Sequence, residues 1–144
     1  MTDTAQLLPI LKRVPIFATL DEGMHMQIIG KISYKRYEPN QIFFHEGDTG
    51  NAMYIIKNGQ AAVYHEPKEL GYPEQIIATL KDNDFFGEMA LVSSDPRNAS
   101  VKAVAQCDVF VLSKSDFDIL IGENPDMANK ISTTYFERFK ENQK

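Results

Sequence analysis

The sequence predicts a mainly β domain, a barrel or roll of seven or eight short strands with helices at both ends. Three observations carry that prediction. At Ser33 the hydrophobic period changes from helical to two. Short β segments then arrive about every ten residues, with turn residues between them, as far as Ser113. Helical patterns with capping signals flank this stretch on both sides.

Residues 4–13 place Leu7, Leu8, Ile10 and Leu11 at spacings that suit a short amphipathic helix, which Pro15 ends. Thr19-Leu-Asp-Glu22 reads as a capping box opening a second helix that carries Met24, Ile28, Ile29 and Ile32. Strands are expected at 33–37, 41–45, 52–57, 60–65, 74–80, 100–105 and 108–113. Asn58-Gly59 is the best hairpin signal, because both residues tolerate positive φ. Glu46-Gly-Asp-Thr-Gly50 is another turn. Ser115 is placed to cap the next helix, with Asp116 and Asp118 in its first turn and Phe117, Leu120 and Ile121 on its apolar side. Gly122 and Pro125 then interrupt the pattern, and Pro125 starts a final helix through about residue 142. Two helices meeting at such a joint can act as a hinge. On the final helix Met127, Ile131, Tyr135 and Phe139 recur at four-residue spacing, an apolar stripe that by itself reads as a core face.

Composition bounds the function. The 144 residues suit one domain, 1–144, divided into N-terminal helices 1–32, a β region 33–114 and a C-terminal helix pair 115–144. Hydrophobic content of 43% and charged content of 24% are ordinary for a globular chain and argue against disorder. No apolar run approaches the roughly 20 residues of a membrane span. The first residues lack the charged start and apolar centre of a signal peptide, so a cytoplasmic location is expected. Cys107 is the single cysteine, which rules out an internal disulfide and cysteine-rich metal sites and suits a small core residue. A net charge of −5 argues against a nucleic-acid surface, so a phosphate would have to be held locally.

That local site is residues 86–101, FGEMALVSSDPRNASV. Gly87 allows close backbone approach, and the amides after it converge on one focus if the chain turns into a short helix. Arg97 adds a permanent charge with a planar fork that meets two phosphate oxygens. Glu88 would repel the same anion and instead accepts hydrogen bonds from a nearby hydroxyl. A sugar phosphate with a free hydroxyl accounts for both charges. Taken singly, Gly87-Glu88 is an ordinary surface turn and Arg97 a solvated loop charge. The apolar company of Phe85, Phe86, Met89, Leu91 and Val92 sets Glu88 apart, since a buried carboxylate needs a partner.

The stretch closely resembles the phosphate-binding cassette of cyclic nucleotide-binding domains, F-G-E-x-A-L followed after a short spacer by P-R-x-A-[ST]-V. Phe86, Gly87, Glu88, Ala90, Leu91, Pro96, Arg97, Ala99, Ser100 and Val101 all fit. The resemblance extends over about residues 14–125 through IFFHEGDTGNAMYIIKNGQAAVY, with Asn40 and Asn83 standing where the family usually has glycine. Asparagine tolerates the left-handed region, so those turns are expected to survive. The resemblance implies an eight-stranded β-roll, jelly-roll-like in the manner of a double-stranded β-helix, whose C-terminal helices act as hinge and lid. It also implies that Arg97 pairs with a cyclic phosphate, helped by amides of Ala90, Asn98, Ala99 or Ser100 and by the Ser100 hydroxyl. Glu88 and the Gly87 backbone would hold the ribose 2′-hydroxyl, with Phe86 and Met89 beside them. By position, Arg138 corresponds to an arginine that stacks on the purine in bacterial cyclic nucleotide-gated channels; a solvated helix-end arginine, or Tyr135 as the cap, are the alternatives.

The implied ligand is cAMP, with cGMP open because Ser100 could reach a guanine amino group. No cofactor is implied. The output would be an unidentified effector protein, a homodimer contact or sequestration of the ligand, and no membrane partner is expected. A cupin-type metal enzyme would need clustered ligands of the His-x-His kind, whereas His25, His45 and His65 are isolated and read as surface or turn residues. No acid/base constellation accompanies Glu88 and Arg97, so an enzyme is not expected. A scaffold that keeps the fold without the ligand is the remaining alternative.

Overall fold

The computed structural model describes the backbone of residues 2–142 and the side chains of residues 3–135. Helix α1 (Thr2–Arg13), a 3₁₀ turn (Pro15–Phe17) and α2 (Glu22–Ile29) lead into the strands. These are β1 (Ser33–Tyr37), β2 (Ile42–Phe44), β3 (Ala52–Asn58), β4 (Gln60–His65), β5 (Gln75–Lys81), β6 (Phe85–Phe86), β7 (Ser100–Ala103) and β8 (Cys107–Ser113). Helices α3 (Lys114–Glu123) and α4 (Pro125–Asn142) follow. The strands form two antiparallel four-stranded sheets, ordered β1-β8-β3-β6 and β2-β7-β4-β5. This is the mainly β roll with flanking helices that the sequence predicts.

Two apolar clusters fill the molecule. One lies between the sheets and contains Tyr37, Phe43, Tyr54, Ile56, Phe86, Val101 and Cys107. The other joins the N-terminal helices, the C-terminal helices and the first sheet through Leu7, Ile10, Phe17, Ile28, Met53, Leu91, Phe117, Met127 and Ile131. The helices at the two ends of the chain therefore share one core, and burial of their apolar faces is what holds them to the roll. Thr19 and Thr134 add a side-chain hydrogen bond at 3.2 Å between the segment before α2 and α4.

Several local expectations are corrected. Asp21, not Thr19, caps α2, because its carboxylate accepts the Met24 amide at 2.8 Å and its own backbone is extended. Ser113, not Ser115, caps α3: a cap accepts from an amide two or three residues on, and Ser113 accepts from Asp116 N, whereas Ser115 already lies within the first turn. Asn58-Gly59 makes no hairpin, since β3 pairs with β8 and β6 while β4 pairs with β5 and β7. It carries the chain from one sheet to the other. His25 is buried and shares a 2.8 Å hydrogen bond between Nε2 and the Phe17 carbonyl, so it is no surface histidine. Asn40 and Asn83 do adopt positive φ, 71° and 74°.

Candidate functional site

β6 is only two residues long, yet its pairing of Phe86 with Tyr54 and Phe85 with Ile55 fixes where the following turn begins. Gly87 then adopts φ 77°, the left-handed region, and a 3₁₀ turn runs from Glu88 to Leu91. A Cβ at Gly87 would lie 2.6 Å from Arg97 Nη1. The glycine is thus required twice, by its dihedral and by the guanidinium packed against it.

Arg97 is held from both ends. Its amide donates to the Asp48 carbonyl at 2.7 Å and its carbonyl accepts from Gly47 N at 2.7 Å, which ties the cassette to the 46–50 turn. Its side chain folds inward, with Nη2 donating to the Ala52 carbonyl at 2.8 Å and Nη1 to the Gly87 carbonyl at 3.3 Å. The guanidinium carbon stands 3.9 Å over the Phe44 ring. Nε is buried and without a hydrogen-bond partner among the described residues. Burial draws the Arg97 pKa below its ordinary value, opposed by Tyr54, Asp48 and Glu88 nearby. Among the described residues no carboxylate lies within ion-pair distance of it.

A cavity of about 540 Å³ opens beside this guanidinium. Phe86, Gly87, Glu88, Met89 and Ala90 line one side, and Arg97, Asn98 and Ala99 another. Phe44, Val63 and Val101 add apolar lining, Ser93 and Asp95 polar lining beside Pro96, and Tyr135 of α4 also lines it. Ser100 is the predicted site residue that does not line the cavity, whereas its neighbours Ala99, just before β7, and Val101, within it, do. The Ser100 side chain is buried, and its Oγ accepts the Glu46 amide at 2.8 Å. Asn98 is the polar residue after Arg97 that does line the cavity. The Arg138 side chain lies outside the described residues. Phe139 of the helical stripe does too, while Met127 and Ile131 are core.

The sequence reading did not assign Phe44, Val63, Asp95 or Gly50 to the site. A Cβ at Gly50 would meet that of Ala90 at 2.6 Å and Arg97 Cζ at 3.1 Å, so this turn glycine admits the arginine. Two histidines near the 46–50 turn are partnered: His45 Nδ1 meets Glu66 Oε1 at 2.5 Å and His65 Nδ1 meets Glu46 Oε2 at 3.5 Å. Among the described residues no three metal-ligating side chains group together. No described helix is long and apolar enough to cross a membrane.

Comparisons with known proteins agree with this architecture. Residues 34–124 match the family model of the cyclic nucleotide-binding domain. The chain is 33% identical over 112 residues to a cAMP-dependent protein kinase regulatory subunit of Hypocrea atroviridis, covering 78% of this chain and 23% of that protein. It is 31% identical over 118 residues to that of Schizosaccharomyces pombe, covering 82% and 27%. The chain therefore spans about a quarter of these relatives. Among solved structures, the N-terminal domain of a Streptomyces coelicolor transcriptional regulator superposes with TM-score 0.80 at 22% identity, covering 93% and 92% of the two chains. The regulatory domain of Toxoplasma gondii PKA, co-crystallised with cAMP, superposes with TM-score 0.71 at 29% identity, covering 83% and 44%. With its two-sheet roll and the match over most of the chain, the protein belongs to the cyclic nucleotide-binding domain family.

Proposed function

We propose that this chain is a cytoplasmic cyclic-nucleotide sensor, not an enzyme, that binds cAMP foremost and passes occupancy to a separate effector protein through the position of α4. One observation carries the reading. Arg97 presents a half-buried guanidinium with two carbonyl partners, a buried Nε without a hydrogen-bond partner and no ion-paired carboxylate among the described residues, at the wall of a cavity. A partly desolvated cation so placed is stabilised when an anion joins it. A cyclic phosphate supplies that anion. Relatives named as cAMP-dependent regulatory subunits support the same ligand.

In this reading Arg97 pairs with the phosphate, and amides at Ala90, Asn98 and Ala99 complete its shell. Glu88 and the Gly87 backbone hold the ribose hydroxyl. The Asn98 carboxamide, in place of the Ser100 hydroxyl, adds a polar contact, and Tyr135 or Arg138 covers the base. A ligand of about 22 non-hydrogen atoms at ~0.3 kcal/mol each gains ~7 kcal/mol, equivalent to tens of micromolar or better.

Calorimetric titration with cAMP and then cGMP tests this directly. The expected result is micromolar or tighter binding, weakened about 10- to 100-fold by Arg97→Ala, since hydrogen bonds to charged groups contribute roughly 1.5 to 3 kcal/mol. Millimolar constants for both nucleotides would overturn the proposal.

A further inference from the structure

Arg97 owes its place to a turn outside the cavity. Its amide donates to the Asp48 carbonyl and its carbonyl accepts from Gly47 N, each at 2.7 Å. Thr49 forms an isolated β-bridge with Pro96, and the Glu46 amide donates to Ser100 Oγ at 2.8 Å. Two crossed side-chain pairs fasten this turn to the end of β4. His45 Nδ1 meets Glu66 Oε1 at 2.5 Å, and His65 Nδ1 meets Glu46 Oε2 at 3.5 Å. Between them the Glu66 amide donates to Glu46 Oε1 at 2.6 Å. The two histidine side chains are 51% and 44% exposed, so both rings exchange protons with solvent. None of the four residues lines the cavity, and neither does any other histidine or any cysteine.

We propose that His45 and His65 are positioning residues for Arg97: with Glu66 and Glu46 they clamp the 46–50 turn to β4, and protonation of the two rings tightens the clamp and raises nucleotide affinity. A neutral ring offers its carboxylate a hydrogen bond, and a protonated ring adds a full opposite charge to it. The hydrogen bond to Glu66 raises the His45 pKa above its ordinary value, against desolvation and with further help from the Glu66 and Asp48 charges. The His45 contribution is therefore complete below about 6.5, the ordinary histidine value, and is lost as pH rises through the raised one. Other charged groups around the pairs are Asp48 in the turn, Asp95 and Arg97 in the cassette, and Lys68 and Glu69 in the loop after Glu66. Glu74 before β5 and Lys102 on β7 pair with each other, and the β5 residue opposite His65 is the uncharged Gln75. The two histidines are the groups in this set whose ordinary pKa lies near neutrality. A single exposed pair contributes little. Here two pairs cross on one backbone hydrogen bond and act on the same contact. A ligand that needs this contact in place draws protons onto the rings as it binds, by reciprocal coupling.

The effect on affinity rests on the cyclic-nucleotide reading of the cavity, so the clamp is tested with and without ligand. In calorimetric titrations of the full chain, cAMP affinity is expected to fall about 3- to 10-fold between about pH 6 and about pH 8. Titrations near neutral pH in buffers of different ionisation enthalpy should show net proton uptake. A phosphodiester stays singly charged over that range, so the ligand does not supply the slope. The double variant His45→Gln/His65→Gln, shown to be folded by circular dichroism, should bind at every pH as the unmodified chain does at about pH 8. Without ligand, hydrogen exchange at the Gly47 and Arg97 amides is compared between the two chains at each pH. Exchange should be slower in the unmodified chain at about pH 6 and equal in both at about pH 8. Equal exchange at about pH 6 overturns the clamp. An affinity slope that the double variant keeps, or that the unmodified chain lacks, overturns its action on the ligand. If cAMP fails to bind at any pH, the reading of the cavity fails by itself, and the exchange comparison still decides the clamp.

Discussion

Arg97 and Gly87 depend on each other more closely than a ten-residue separation suggests. The guanidinium donates to the Gly87 carbonyl and occupies the space a Cβ at position 87 would need. Gly87→Ala therefore incurs two penalties, the left-handed dihedral at roughly 1–2 kcal/mol and displacement of Nη1. The expected outcome is a urea midpoint lowered by an amount matching about 1–3 kcal/mol, together with nucleotide affinity weakened at least ~10-fold. Loss of affinity with unchanged stability would mean that only the ligand, not the folded turn, needs the glycine. At this scale the cassette was legible because glycine, glutamate and arginine each have few reasons to be where they are. The Ser100 hydroxyl is engaged by the Glu46 amide instead of lining the cavity, because a one-residue step along a strand reverses the face, and sequence spacing alone does not show which residue after Arg97 faces inward.

At the scale of elements, periodicity found every strand long enough to have a period. β6, with two residues, has none, and its existence follows only from pairing with β3. The Asn58-Gly59 signal was a sound turn signal but not evidence of pairing, since the same dihedrals serve a crossing between sheets. The stripe on α4 proved to be divided: Met127 and Ile131 belong to the core shared with α1 and the first sheet, and Tyr135 one turn later lines the cavity. Met127 is fully buried. Met127→Ala should therefore cost about 2–5 kcal/mol of stability by urea denaturation, as buried methionine truncations do. A cost below ~1 kcal/mol would show α4 packed loosely enough to be absent from the cooperative core.

Across the whole molecule, one side chain joins the ligand cavity to the helical core. Tyr135 lines the cavity and also an apolar groove of about 290 Å³ bordered by Leu91, Val92, Phe117, Ile121 and Ile131. That groove lies where the 3₁₀ turn of the cassette meets α3 and α4, so the turn that would hold the ribose and the helix that would cover the base share a boundary. A ligand that binds better with α4 closed over the cavity shifts the population toward that state by its differential affinity alone. Coupling of this kind is typically worth 1–3 kcal/mol. Tyr135→Ala should accordingly weaken cAMP binding about 5- to 100-fold, with most of the change in the dissociation rate. Hydrogen exchange separates coupling from packing. In the unmodified chain, ligand should slow exchange of the α4 amides, and in Tyr135→Ala that protection should be lost even at saturating ligand. If ligand protects α4 equally in both, Tyr135 supplies contact area only, and movement of the helix is driven from elsewhere.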